Sequence, residues 1–327
     1  MIIKDHLGDF GAIDGVWDTL LSSTESHVFF TPLWARIWWR NLGSGESHLL
    51  QVLKKDRPVG IIPLLVRGKK AALLGDKEVC DYLDVVALRG EEGSVARELF
   101  RFAEDNHLTL DLLPLLEDSP LVSHIRSIGQ GDRLTAMDTS YWLELPATWE
   151  EYFEMLSGKN RHELKRKLRR LNRSGEMAFR ASESPAGDMD EFFRLFRYEP
   201  EKAAFLTSAR ESFFRQLADE LGGKGWLKLY FLEVQGKKIA TTLCFDYRDT
   251  LYLYNSGYDP AYADLSAGLI SKALTIREAI ERGKKRFDFL RGVETYKAQL
   301  GGRPVSVYRF TQESEAHGAR GGRAHGS

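Results

Sequence analysis

A short segment in the first half of the chain combines residue types that can bind a ligand and exchange protons with it. It reads GDKEVCDYLD and contains Asp81, Tyr82 and Asp84. In an extended segment Asp81 and Asp84 face opposite sides, which argues against a pair of carboxylates acting together. Asp81 alone could orient or deprotonate a substrate group at the mouth of a cleft, with Tyr82 as a binding residue. The alternative is that Asp81 only forms a turn.

A second group of polar residues lies in the segment FDFLRGVETYK. Asp288 is on a predicted strand between two phenylalanines and therefore points away from their rings. Arg291 could pair with Asp288 or bind substrate, and Lys297 could bind an anion. Tyr296 is a candidate for chemistry, or else a core aromatic whose hydroxyl is hydrogen-bonded.

The strongest local charge feature runs from Lys159 to Arg173. Eight of these residues are lysine or arginine, and Glu163 is the one acid. The leucines of this run form a narrow apolar stripe, as in an amphipathic helix. Guanidinium and ammonium groups compensate phosphate charge, so the helix could bind the phosphates of a coenzyme or of RNA, with Arg161 as one contact. A solvated helix face is the alternative.

Composition and motifs exclude several classes of protein. The formal net charge is −1, which argues against attraction of the whole protein to nucleic acid or to an anionic membrane. The 8 histidines lack metal-binding spacing, and no GxSxG, Walker or GxGxxG motif occurs, so no metal site is predicted. Cys80 and Cys244 lie in separate apolar runs and are predicted to be buried thiols. The absence of a signal-peptide pattern and of a long apolar run predicts a cytoplasmic protein without a membrane span.

The elements that must position the second polar group form a continuous pattern. Three strand-like runs are separated by turn-forming residues, as in an antiparallel meander. These runs are Leu227–Val234, Ile239–Phe245 and Leu251–Tyr254. A helical pattern then runs from about Ser266 to Arg282 and ends at Gly283. A strand at Arg286–Leu290 and a second short helix complete the order β-β-β-α-β-α.

A similar hairpin occurs 180 positions earlier in the chain, where residues 55–60 correspond to residues 235–240. A repeated supersecondary unit at this spacing predicts two copies of one fold. The predicted domains are residues 1–146 and 147–312, because a capping box at Thr148 opens a new helix after the strand that ends near Leu145. Residues 313–327 lack apolar side chains and are predicted to be a disordered tail.

Three stretches together resemble the BioF2-like (CelD-type) acyltransferases of the GNAT superfamily, which are relatives of the FemAB peptidoglycan aminoacyltransferases. They are SGKNRHELKRKLRRL, YNSGYDPAYADLSAGLI and FDFLRGVETYKAQLG. The resemblance covers about residues 157–310, and GDKEVCDYLD is similar to the Asp-Tyr segment of FemAB-like first domains. It implies an α/β fold with a mixed α+β sheet, built as two tandem GNAT-like acyl-CoA N-acyltransferase domains.

The resemblance also implies where the donor binds. In GNAT enzymes the helix after the fourth strand presents its N-terminal amides to the pyrophosphate of acyl-CoA. That helix start corresponds here to Ser266, Ala267, Gly268 and Leu269, so acyl-CoA is the implied co-substrate and no permanently bound cofactor is expected. The chain departs from the family pattern Q/R-x-x-G-x-G/A, since Ala263 occupies the Gln/Arg position and Ser266 the first glycine.

Acyl transfer from a thioester needs a deprotonated amine, donors for the oxyanion and an acid for the leaving thiolate. The resemblance makes Tyr296 that acid, and Asp81 is the candidate that acts on the amine. The implied substrate-binding residues are Tyr82, Asn255, Tyr258, Asp288, Arg291, Lys297 and Arg161.

Three functions agree with these observations. The first is transfer of an acyl group from acyl-CoA to the amine of a small molecule or of a cell-envelope or polysaccharide precursor, in a cleft between the domains. The second is a FemAB-like transferase that uses aminoacyl-tRNA, held by the basic helix 159–173. The third is a catalytically degenerate tandem GNAT protein that acts as a binding module, since the glycine pattern is incomplete.

Overall fold

The computed structural model describes residues 1–24 and 26–312, so the predicted disordered tail lies outside the described residues. The strands are β1 (Ile2–Asp5), β2 (Glu46–Lys54), β3 (Arg57–Arg67), β4 (Lys70–Leu73), β5 (Val86–Ala87), β6 (Thr109–Leu116), β7 (Leu134–Glu144), β8 (Met177–Ala181), β9 (Leu227–Val234), β10 (Lys237–Tyr247), β11 (Thr250–Tyr258), β12 (Arg286–Arg291) and β13 (Arg303–Gln312). The α-helices are α1 (Asp14–Ser22), α2 (Pro32–Leu42), α3 (Glu92–Asp105), α4 (Pro120–Ser127), α5 (Trp149–Met155), α6 (Gly158–Asn172), α7 (Met189–Phe196), α8 (Pro200–Phe205), α9 (Ser208–Gly223), α10 (Ala267–Glu281) and α11 (Thr295–Gln299).

These strands form one mixed sheet. Its order is β1-β2-β3-β4-β6-β13-β7-β12-β11-β10-β9-β8, and β5 pairs with β3. Neighbouring strands are antiparallel, except that β4 is parallel to β6 and β11 is parallel to β12. The predicted mixed α/β architecture is therefore confirmed. In the part of the chain that the structure describes, no helix has the length and apolarity that a membrane span needs.

The two halves contain matching hairpins, as the sequence predicts. The turn between β2 and β3 has Lys55 at φ 49° and Asp56 at φ 61°, and the turn between β9 and β10 has Gln235 at φ 51° and Gly236 at φ 73°. Two consecutive residues with positive φ are typical of the two-residue turns that suit twisted hairpins. The turns lie 180 positions apart in the sequence, as expected of two copies of one unit.

The last strand joins the two halves into one sheet. β13 lies between β6 and β7, and β7 also pairs with β12. The sheet therefore continues across the chain position at which the sequence predicts a domain boundary. At that position Thr148 caps α5, and its side chain and that of Glu151 form the predicted capping box.

A gap between β11 and β12 is the feature that positions the site. These parallel strands pair from Thr250 to Tyr252 with Arg286 to Asp288, and they separate beyond this point. A β-bulge follows in β11, since Leu253 pairs with Cys244 and Asn255 pairs with Leu243. The extra residue reverses the direction of the side chains that follow. Tyr252 consequently faces the first half of the chain, whereas Tyr258 packs in the cluster with α10.

Both cysteines are buried, which confirms the prediction. Cys80 and Cys244 are free thiols, each 0% exposed. Burial raises the pKa of Cys80 to about 12. A thiol of this kind is inert at neutral pH, because the thiolate is the reactive form.

Candidate functional site

The start of α10 is a point at which positive charge collects. Ser266 precedes the helix in the left-handed region, at φ 57° and ψ 37°, and its side chain does not cap the helix. Its hydroxyl oxygen instead accepts hydrogen bonds from Lys167 Nζ at 3.2 Å and from Arg170 Nη2 at 2.8 Å. The basic helix α6 thus places two cations at the N-terminal end of α10, where the helix dipole also favours an anion.

The charge on these two cations is only partly compensated by the protein. Glu163 lies 3.4 Å from Lys167 Nζ, but this carboxylate also binds Arg166. Arg170 Nε is buried and has no hydrogen-bond partner within residues 1–24 and 26–312. An anion that accepted hydrogen bonds here would therefore meet donors that the protein itself leaves unused.

A cavity of about 230 Å³ opens beside this charge cluster. We call it the helix-start pocket. It is lined by Tyr258, Ala263, Ser266, Ala267, Gly268, Leu269, Lys272 and Tyr296. The structure thus brings together the four predicted cofactor-binding residues, Tyr258 and the predicted acid. A Cβ atom on Gly268 would lie 3.0 Å from Tyr258 Cδ1, so glycine permits the close approach of this ring to the helix.

Lys272 is a residue of this pocket that the sequence analysis missed. Its Nζ donates to the carbonyl oxygen of Gly268 at 2.9 Å and lies 4.7 Å from the centre of the Tyr296 ring. Burial, with a smaller contribution from Lys202, lowers the pKa of Lys272 to about 8. Burial raises the pKa of Tyr296. A lone lysine four residues after Gly268, in an otherwise apolar helix pattern, is the signal that could have identified it.

Asp81 pairs with Arg291, whereas its predicted role requires contact with the acceptor amine. Its Oδ1 accepts the backbone N–H of Arg291 at 3.1 Å, and the Arg291 Nε lies 3.4 Å away. The predicted pairing of Arg291 with Asp288 is therefore wrong, because the guanidinium is held by Asp81 and lies 3.7 Å from Asp138. Burial raises the pKa of Asp81, and Arg291 opposes this shift. Asp81 does not line the helix-start pocket, so the structure does not bring Asp81 and Tyr296 together.

Asp288 instead bonds to Tyr82. The Tyr82 hydroxyl donates to Asp288 Oδ1 at 2.9 Å and also contacts Ser140 Oγ. Burial raises the pKa of Asp288 to about 7, although hydrogen bonds from Leu290 N–H and Tyr82 oppose the shift. The Asp288 side chain points away from Phe287 and Phe289, which pack 4.9 Å apart in an apolar cluster on the other face. The predicted direction of Asp288 is thus confirmed.

Lys297 is structural, in contrast to the predicted contact with an anion. Its side chain is 1% exposed, and its Nζ donates to the carbonyl oxygens of Leu290, Arg291 and Gly292. The Glu294 carboxylate lies 2.9 Å away. These acceptors already engage the donors of the ammonium group, so Lys297 closes the loop after β12 and is not free for a ligand.

Two predicted binding residues lie away from the helix-start pocket. Arg161, in the first turns of α6, and Asn255, in β11, are both half-buried. Neither lines the pocket. Asn255 lies beyond the point where β11 and β12 separate, whereas Arg161 lies on the same helix as the two cations that contact Ser266.

A second and larger cavity, of about 720 Å³, lies between the halves on the opposite face of the sheet. We call it the inter-half cavity. Tyr82 and Asp84 line it from the first half, and Tyr252 and Arg286 line it from the second. Tyr252 and Asp288 form the last pair before β11 and β12 separate, so the cavity adjoins that gap. Asp84 faces this cavity whereas Asp81 pairs with Arg291, in agreement with the prediction that the two carboxylates do not form a pair.

Comparisons with known proteins agree with this architecture. Residues 158–298 match the family model described as "Acetyltransferase (GNAT) domain". FemX has a similar structure, with a TM-score of 0.64, 10% identity and coverage of 96% of this chain and 98% of that chain. The C-terminal domain of a putative lysylphosphatidylglycerol synthetase from Agrobacterium fabrum gives a TM-score of 0.60 and 13% identity, with coverage of 93% and 92%. A tandem GNAT protein from the clavulanic acid biosynthesis pathway gives a TM-score of 0.50 and 12% identity, and the match covers 96% of this chain and 98% of that chain.

No curated protein matches the sequence significantly. At these identities the structural likeness shows the fold. The predicted tandem GNAT-like fold is confirmed, and it resembles the fold of FemX.

Proposed function

We propose that this protein, whose residues 158–298 match a GNAT acetyltransferase domain, is an acyltransferase that transfers an acyl group from acyl-CoA to an amine. The observation that carries the proposal is the convergence of Lys167 and Arg170 on Ser266, at the mouth of the helix-start pocket. A pyrophosphate placed there would accept hydrogen bonds from the first amides of α10 and from both cations. The two cations supply positive charge at a helix start whose glycine pattern is incomplete.

The path of the donor follows from the gap between β11 and β12. Tyr258, at the helix-start pocket, and Tyr252, at the inter-half cavity, are six residues apart on β11, which corresponds to about 20 Å along an extended strand. A long flexible arm attached to the pyrophosphate could enter the gap and present its thioester near the last strand pair. The acceptor amine would then approach from the opposite face of the sheet.

The residues near this path can supply the required proton transfers. The amine attacks the thioester carbonyl, a C–N bond forms, the C–S bond breaks, and Tyr296 protonates the leaving thiolate. The Lys272 ammonium above the Tyr296 ring would stabilise the phenolate that forms. Asp288, with a pKa of about 7, is a carboxylate that can accept the amine proton at neutral pH, and Tyr82 links it to the inter-half cavity. Asp81 then has a positioning role, because it holds Arg291 at the end of β12.

An amine-dependent assay tests this function. Purified protein is supplied with acetyl-CoA and longer acyl-CoA esters, and thiol release is measured with and without a panel of small amines, with mass spectrometry of the products. We expect thiol release that depends on an amine and yields an N-acyl product of the added mass. Absence of thermal stabilisation by every CoA ester, together with no amine-dependent thiol release, would refute the proposal.

The acceptor class and the subgroup are further parts of this proposal. An amine on a small molecule or on an envelope or polysaccharide precursor suits the BioF2-like (CelD-type) sequence stretches. Use of acyl-CoA also suits a cytoplasmic location, since this donor is an intracellular metabolite.

A second candidate donor is aminoacyl-tRNA. It is favoured by the outward side of α6, where Lys159, Arg169 and Arg173 are exposed. These side chains could contact an RNA backbone while Lys167 and Arg170 stay in contact with Ser266. Binding through phosphate contacts would weaken steeply as salt concentration rises. A protein that fails to retard tRNA in a gel at low salt would remove this candidate.

A further inference from the structure

The inter-half cavity carries groups that the acyl donor does not use. His27, Tyr82 and Ser119 line it from the first half, and Tyr252 and Arg286 line it from the second. Tyr252, which belongs to the last strand pair before β11 and β12 separate, brings the cavity up to that end of the pairing. Its volume is about three times that of the helix-start pocket.

Arg286 is a cation in this wall that forms no ion pair within 4 Å among the described residues, although the Asp288 carboxylate is close enough to interact with it electrostatically. Its guanidinium lies 4.5 Å from the centre of the Trp142 ring. Two other cations of the wall are engaged, because Lys285 pairs with Asp249 at 2.6 Å and Arg248 donates to the carbonyl oxygens of Leu21 and Thr24. Arg89 also lines the cavity, but its side chain is exposed. A planar guanidinium held against an aromatic ring keeps its edge available for a planar anion.

His27 adds a neutral hydrogen-bonding group beside Arg286. Its Nδ1 lies 3.2 Å from the Tyr252 hydroxyl, and the other ring nitrogen has no partner in the described part of the chain. Burial, reinforced by Arg286, lowers the pKa of His27 to about 3, so the ring is uncharged at neutral pH. A neutral imidazole with one nitrogen engaged can offer the other to a ligand.

We propose that the inter-half cavity binds the acyl acceptor, a small amine that also carries a carboxylate or phosphate group, and that Arg286 holds this oxyanion. His27 would hydrogen-bond the same ligand, and the amine would face Tyr82 and the gap. The inference rests on the proposed function, since it assigns the acceptor of that reaction.

The spacing of the wall residues indicates the size of the acceptor. Arg286 and Asp288 are two residues apart on β12 and lie on the same face, so their Cα atoms are about 7 Å apart. An amine near Asp288 and an oxyanion on Arg286 would therefore be separated by only a few bonds. Amino acids and phosphorylated amino alcohols have this geometry. An amine that carries no anionic group would have nothing with which to pair Arg286.

Calorimetric titration without acyl-CoA tests the inference independently of the donor. The probes are glutamate and O-phosphoethanolamine, with ethanolamine as the uncharged comparison. We expect saturable binding of at least one anionic probe, with ethanolamine binding much more weakly. Arg286→Gln should weaken the anionic probe at least about tenfold, which corresponds to ~1.4 kcal/mol. The matched control is Arg277→Gln, because Arg277 lies on α10, outside the cavity, and pairs with Glu281 at 3.4 Å; it should bind as the wild type does.

Three results would overturn the inference: no saturable binding of either anionic probe, equal affinity for ethanolamine, or unchanged affinity in Arg286→Gln. If Arg286→Gln does not fold, His27→Gln replaces it and should weaken the anionic probe severalfold, and unchanged affinity in that variant would count against the inference equally. Binding of CoA to Arg286→Gln should be unchanged. If the wild type failed to bind CoA, the donor proposal would be contradicted, whereas the titrations with the anionic probes would still decide whether the acceptor cavity exists.

Discussion

The hydroxyl of Tyr82, in the first half of the chain, donates a 2.9 Å hydrogen bond to Oδ1 of Asp288 in the second half. Both side chains are almost fully buried, at 1% and 3% exposure. The bond lies between the inter-half cavity and the point where β11 and β12 separate. It therefore joins the two halves next to the place proposed for acyl transfer.

Removal of the Tyr82 hydroxyl should destabilise the protein. Tyr82→Phe leaves Asp288 without one of its two donors, and loss of a hydrogen bond to a buried group costs about 1–3 kcal/mol. Urea unfolding should show a lower free energy of unfolding by this amount. Tyr198→Phe is the control, because Tyr198 is 42% exposed, and it should have little effect. Equal stability of wild type and Tyr82→Phe would show that the bond contributes nothing.

Asp288 should make stability depend on pH. The pKa of Asp288 rises from 3.8 to about 7 on folding. Between pH 3.8 and about 7 the folded protein therefore holds a proton on Asp288 that the unfolded chain has lost. The contribution of Asp288 to the free energy of unfolding is therefore fully present below pH 3.8 and is lost as pH rises through about 7. Asp288→Asn should flatten the dependence measured by urea unfolding across this interval.

Asp84 must be included in that measurement, since burial also raises its pKa to about 7. Asp84→Asn should flatten the same interval in part, and the double variant should flatten it further. Parallel profiles for wild type and Asp288→Asn would contradict the assignment of a raised pKa to Asp288.

Tyr296→Phe should lower the rate of the chemical step. Loss of a general acid typically reduces catalysis by a factor of about 10² to 10⁴. We expect kcat for acyl transfer to fall in this range while KM for acyl-CoA changes little. Tyr262→Phe is the control, since Tyr262 lies near the start of α10 but does not line the pocket. A fall in kcat of less than about threefold, below the smallest effect expected of an acid, would exclude Tyr296 from this role.

Lys272→Met should change the dependence of activity on pH. The pKa of Lys272 is about 8, so its ammonium loses its proton as pH rises through this value. The wild-type rate should fall above about pH 8, because the charge that stabilises the Tyr296 phenolate disappears. In Lys272→Met the rate should be lower and this fall should be absent. A variant that keeps the same alkaline fall would show that another group titrates.

The sequence predicts the local parts of this site because local rules determine them. The paired turn residues Lys55-Asp56 and Gln235-Gly236 identify the repeated hairpin, and their positive φ values follow from the turn type. The start of α10 at residues 266–269 was predicted from the family resemblance and lines the helix-start pocket. The direction of Asp288 follows from strand alternation.

The missed features depend on contacts between distant parts of the chain. Arg170 and Ser266 are 96 residues apart, and Asp81 and Arg291 are 210 apart. Spacing within one helix or strand carries no information about such pairs. The position of β13 between β6 and β7 is likewise a property of the whole sheet. The role of Lys297 is missed for a different reason, because the carbonyl groups around its ammonium are close in sequence but depend on the conformation of the loop after β12.

The most direct test compares the affinity of CoA with that of pantetheine, which lacks the pyrophosphate, by calorimetric titration. CoA should bind more tightly than pantetheine to the wild type, and Lys167→Gln and Arg170→Gln should each reduce this advantage about tenfold, or ~1.4 kcal/mol. Arg169→Gln, on the exposed side of α6, should keep the advantage. Equal affinity of CoA and pantetheine for the wild type, or an advantage that survives in both Lys167→Gln and Arg170→Gln, would contradict a phosphate site at Ser266.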